Sequence, residues 1–128
     1  MKTFLIRFSS ISLAVAVILG ALAAHTLKDK LSPESLDSFQ TGVRYQLVHS
    51  LALLVLAALE HVWYPRMFRI GTTLMIMGMI FFSGSIYFLS TQSLSGVSFS
   101  GIGLITPLGG LCMVGSWFVM GFGINTKP

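Results

Sequence analysis

The side chains in this sequence best able to do chemistry are His25, Tyr45, Gln46, His49, Ser83, Ser85, Tyr87 and Thr106. Two imidazoles, His25 and His49, could ligate haem or a metal, or join Tyr45 in hydrogen-bonding a quinone. The glutamine and the hydroxyls could hold a small molecule or lipid, since a polar group in apolar surroundings must find a partner. Gly42, Gln46 and His49 share one helical face by spacing, as do Ser83 and Tyr87. Zinc-type Cys/His spacing, a glycine-rich phosphate loop and Gly-x-Ser-x-Gly are all missing. No catalytic set is recognisable, no metal set is spaced for ligation, and no cofactor is required.

The elements that must position these residues follow from composition. The chain is 54% hydrophobic and 9% charged, against about 25% charged in a soluble domain. Its 128 residues make one domain, and a stretch of about 20 apolar residues, enough to cross a bilayer, can be laid along it four times. The expected fold is an all-α membrane protein occupying 1–128 as a single integral domain, with spans at about 4–27, 45–62, 70–89 and 104–122. Lys28-Asp29-Lys30 ends the first span, and Trp63-Tyr64-Pro65-Arg66 ends the second with interfacial aromatics, a helix breaker and a cation. A Ser/Gly-rich segment without charge, Ser90 to Gly103, follows the third.

Between the first two spans, Ser32 as N-cap, Pro33 at the first helical position, and Glu34 and Asp37 near the positive dipole end open another helix. Leu36, Phe39, Val43 and Leu47 recur at helical spacing, so about 33–44 is expected as a short amphipathic helix on the membrane surface, bending at Gly42. The alternative is one helix from Pro33 to about Glu60 that projects from the bilayer. Arg44 is expected as an interfacial anchor or a partner for Asp37 or Glu34, with an anion hook as the other reading.

Lys2 and Arg7, the apolar run Ile11 to Gly20 and Ala21-Leu22-Ala23 also fit a secretory signal peptide. Against that, the apolar stretch reaches Leu27, and Ser12, Ala16, Gly20 and Ala24 form a small-residue stripe suited to helix packing in lipid. A retained span is expected. Basic residues then orient the chain, with Lys2, Arg7, Arg66, Arg69 and Lys127 cytoplasmic and Lys28, Lys30 and Arg44 outside, so both termini face the cytoplasm. The net charge of +4 reports this orientation and contact with anionic lipid, not nucleic-acid binding.

In that topology the polar residues fall in the outer leaflet, with His25 near the end of the first span and Tyr45, Gln46 and His49 in the outer third of the second. Ser83, Ser85 and Tyr87 lie in the outer half of the third, and Thr106-Pro107-Leu108-Gly109-Gly110 begins the fourth. Gly20, Gly42, Gly84, Pro107, Gly109 and Gly110 are the expected packing residues. Cys112, the single cysteine, is read as a small buried hydrophobe, and the seven methionines as core and lipid-facing filler.

Four motifs carry a resemblance: Leu19-Gly20-Ala21-Leu22-Ala23-Ala24-His25 with Leu27-Lys28; Phe39 through His49; Phe82-Ser83-Gly84-Ser85-Ile86-Tyr87; and Ile105 through Gly110 with Gly115 and Trp117. In this order they resemble the small bacterial inner-membrane family called the domain of unknown function numbered four hundred and twenty-three, which has a eukaryotic transmembrane relative. Where that family shows Gly-Ala-Phe-Gly-Ala-His, this chain has Leu22 and Ala23 in place of the aromatic and the second glycine. The resemblance implies a four-helix membrane protein with a retained first span, and it brings no activity with it.

The functional expectation is a non-enzymatic accessory or assembly protein of the bacterial inner membrane, whose polar core fixes one helix arrangement. Its partners are the lipid bilayer and a membrane protein or a second copy of itself. One alternative is a small-molecule or lipid binding or transport protein using the polar cluster. The other is haem, metal or quinone binding through His25 and His49.

Overall fold

A computed structural model describes residues 1–97 and 101–125. Helix α1 covers Lys2–Leu22 and runs on into one π-helical turn, Ala23–Leu27; α2 covers Pro33–Ala58, α3 Pro65–Ser95 and α4 Ile105–Phe122. All four helices are long and apolar enough to cross a membrane. Among the described residues the only β pairing is one isolated bridge between Trp63 and Ile124.

Local chemistry accounts for the helix ends. The Ser32 hydroxyl accepts from the Ser35 amide at 3.2 Å while Pro33 opens α2 without an amide to satisfy. A 3-10 turn, Glu60–Val62, and the helix-starting Pro65 separate α2 from α3. The chain turn is closed by the Tyr64 amide to Gly123 O at 3.1 Å and the Asn125 amide to Val62 O at 2.8 Å.

Two expected boundaries change. The segment expected at 33–44 as a surface helix is the front of α2, which runs through Gly42 without a break. Gly42 is instead packed, because a Cβ there would lie 2.9 Å from Tyr87 Cε1. One continuous helix from Pro33 describes α2, and Arg44 pairs along it with Asp37 at 3.1 Å. Helix α3 runs past 89 to Ser95, its polar end held by Thr91 Oγ1 to Tyr87 O at 2.7 Å and stopped by Gly96 at φ 67°. At about 1.5 Å per residue it reaches roughly 46 Å, longer than a hydrocarbon core of about 30 Å is thick.

Neighbours in sequence pack as neighbours in space, α1 on α2, α2 on α3 and α3 on α4, leaving α2 and α3 central. What is buried inverts the pattern of a soluble protein: Phe122 is 87% exposed and Leu104 75%, whereas Ser9, Ser50 and Ser116 are fully buried. In lipid large apolar side chains lose nothing by facing outward, and small or hydroxylated ones let helices approach and bond. Leu5, Leu53, Phe68, Met75 and Met120 fill one end of the core, and Ala23, Leu27, Leu31, Phe39 and Val43 the other. Cys112 is half-buried on α4 rather than deep in the core.

Candidate functional site

Gln46 sits near the middle of α2, and its amide fastens three helices. Nε2 donates to Ser12 O at 3.0 Å and to Ser12 Oγ at 3.2 Å on α1, while Oε1 accepts from the Tyr87 hydroxyl of α3 at 2.7 Å. The orientation of the amide is fixed by chemistry, because a backbone carbonyl can only accept. One turn along α2, Ser50 Oγ lies 2.7 Å from Ser12 Oγ and 3.3 Å from the sulfur of Met79. One turn the other way, the Ser83 hydroxyl donates to Gly42 O at 2.8 Å. Ser12, Gln46, Ser50 and Ser83 are all buried, so each bond replaces a polar group stranded in hydrocarbon, and each is worth about 0.6 kcal/mol, at most about 1.7, in a membrane bundle.

A second group joins α2, α3 and α4. Tyr45 is exposed, packs on Phe82 with centroids 4.6 Å apart and stacks on His49 at 5.8 Å. His49 Nδ1 lies 2.8 Å from Tyr45 O, and Nε2 accepts from the Trp117 indole at 3.3 Å. A carbonyl only accepts and an indole N–H only donates, so these partners select the neutral imidazole with its proton on Nδ1. Both ring nitrogens are thereby occupied.

The α3–α4 contact supplies a third. Ser85 Oγ and Thr106 Oγ1 lie 2.7 Å apart, and Ser116 Oγ donates to Gly71 O at 2.8 Å. Here the backbones touch: a Cβ on Gly78 would lie 2.8 Å from Gly109 O, and one on Gly109 would strike Phe82 N. Pro107 stands in the first turn of α4, where its missing amide costs no helical bond.

The expected residues therefore make three fastenings along the bundle and not one convergent cluster. His25 is exposed in the π-helical turn and belongs to none of them. Since Ser12 is level with Gln46 and Ser50, His25 lies roughly 20 Å farther along α1, at about 1.5 Å per residue. His49 lies in the second half of α2, because that helix begins at Pro33 and not near Tyr45. Gly84 is no packing residue either, as a Cβ there would meet nothing within 4 Å. Gly20 and Gly110 make ordinary contacts, 3.5 Å to Val43 and 3.7 Å to Phe82.

Ser50, Trp117 and Gly78 join these contacts without being among the expected site residues, and Ser12, expected only as a small residue, contributes its hydroxyl and carbonyl. Ser50 follows Gln46 at four-residue spacing and could have been found on that face. Trp117 could not, since its pairing depends on how α4 lies against α2. The hydroxyls of Ser9 and Ser90 are buried without a hydrogen-bond partner. Among the described residues no three His, Cys, Asp or Glu side chains gather as metal ligands do.

The model for the family described as "Protein of unknown function (DUF423)" matches residues 19–110. The chain is 38% identical over 125 residues to the UPF0382 membrane protein YwdK of Bacillus subtilis, covering 94% of each. It is 36% identical to a UPF0382 membrane protein of Staphylococcus epidermidis, over 94% of this chain and 93% of that one. Against the UPF0382 inner membrane protein YgdD of Escherichia coli K12 the identity is 32%, over 91% of this chain and 86% of that one. No solved structure matches. With four spanning-length helices joined through buried polar fastenings and a family match across its centre, this chain is a membrane protein belonging to the DUF423 family.

Proposed function

We propose that this protein is a non-enzymatic accessory or assembly protein of the bacterial inner membrane, with both termini in the cytoplasm. The observation that carries this reading is where the polar side chains spend their hydrogen bonds. Gln46, Ser12, Ser50, Ser83 and Ser116 bond one another or neighbouring backbone carbonyls, and His49 has both ring nitrogens engaged. A nucleophile needs a base within reach and a base needs a free lone pair aimed at substrate. The three fastenings fix one helix arrangement, and a rigid body with a continuous apolar exterior is suited to docking within the bilayer against a larger membrane protein or a second copy.

The test is in-membrane crosslinking of a tagged chain expressed at native level, followed by purification in mild detergent and mass measurement of the intact particle. A stoichiometric complex with one membrane protein, or a defined homo-oligomer, is the expected result. A monodisperse single chain with no crosslinked neighbour overturns the reading.

A further inference from the structure

A groove of about 330 Å³ runs between α1 and α3, walled by Phe8, Ile11 and Val15 on one side and Ile80 on the other. Ser12, Gln46, Ser83 and Tyr87 line it as well, which places polar atoms against an apolar trough near the middle of α1 and α2. Gly84 also borders it, and the space where its side chain would stand is open. Ile11 at 66% and Ile80 at 53% exposure mark the groove as open to the surface that faces lipid, so what enters it must be dissolved in the membrane.

The hydrogen bonds already made decide what chemistry it would take. Both Gln46 N–H groups go to Ser12, the Tyr87 hydroxyl goes to Gln46 Oε1, and the Ser83 hydroxyl goes to Gly42 O. The Ser12 and Ser50 hydroxyls close on each other and on the Met79 sulfur. Every strong donor in the lining is used, and what remains is acceptor capacity: lone pairs on Ser83 Oγ, Tyr87 Oη and Gln46 Oε1. A guest bearing only acceptors, such as a ketone or a quinone carbonyl, finds no partner. A guest that donates does.

We propose that this groove binds a membrane-dissolved lipid alcohol, a single-chain amphiphile whose hydroxyl donates to the acceptors at the groove's base while its chain lies between α1 and α3. The proposal goes beyond the accessory role and does not depend on it. The chain chemistry follows from the apolar walls, and the single donor follows from the used-up donors. A diacyl phospholipid fits poorly, because no charged side chain lines the groove to receive its headgroup.

The test uses the full chain in nanodiscs with hexadecanol, its methyl ether and hexadecanal as probes, read by displacement of a diazirine-bearing hexadecanol whose crosslinks are mapped by mass spectrometry. Crosslinks to Phe8, Ile11, Val15 or Ile80 are expected, with the alcohol displacing roughly tenfold better than the ether or aldehyde, the worth of one hydrogen bond. Gly84→Leu fills the groove without entering the core and abolishes the crosslinks without lowering the melting temperature. Val15→Trp closes the groove from the opposite wall and does the same should the first variant fail to fold. Equal displacement by all three probes, crosslinks elsewhere on the surface, or undiminished labelling in the filled variants each overturns the proposal.

Discussion

At the residue scale, two serines a turn apart on α1 have opposite expected worth. Ser12 stands at the meeting of three helices, whereas Ser9 is buried more completely and its hydroxyl bonds nothing. Burying an unpaired hydroxyl costs free energy that a methyl group does not. Ser9→Ala is therefore expected to leave stability unchanged or raise it by up to about 1 kcal/mol. Gln46→Leu keeps the volume but strands the Tyr87 hydroxyl and loses the tie to Ser12, and is expected to cost about 1–2 kcal/mol. Thermal unfolding of the purified variants in one detergent checks both signs. A destabilised Ser9→Ala would show that this hydroxyl has a partner after all.

At the element scale, the α3–α4 crossing depends on glycine where the α1–α3 groove does not. Gly78 and Gly109 let two backbones meet, and a methyl group at either would drive into main chain that cannot rotate away. Gly78→Ala is expected to destabilise by about 1–3 kcal/mol, as overpacking does. Gly84→Ala, facing open space on the same helix, is expected to be neutral or to stabilise by about 0.5–1 kcal/mol from the helix propensity of alanine alone. The pair is informative because both glycines lie on α3 and neither sits at a positive φ. Comparable losses in the two variants would mean that propensity or expression, not backbone contact, sets the outcome.

At the scale of the whole molecule, the orientation we propose makes opposite demands on the two ends of α3. With Cys112→Ala as background, Arg66→Cys at the start of the helix should resist a membrane-impermeant thiol reagent in spheroplasts and react once they are opened. Ser93→Cys near its other end should react at once. The reverse pattern would invert the topology, and with it the reading of Lys2, Arg7, Arg66 and Arg69 as cytoplasmic. Lys127, the remaining residue of that basic set, lies outside the described residues.

The sequence by itself determined the number and character of the spans, the Ser32-Pro33 helix start and the break at Pro65, because these depend on apolar length and on local backbone chemistry that operates within a few residues. It also grouped Gln46 with Gly42 and Ser83 with Tyr87, each pair on one face of its helix, since helical period alone does that. It could not tell Gly84 from Gly78, nor see that His49 answers to Trp117 and that His25 stands apart. Those distinctions depend on the register and crossing of helices far apart in the chain. In lipid every helix surface is apolar enough to face outward, so only the fit of small residues and the pairing of buried polar groups decides which surfaces meet.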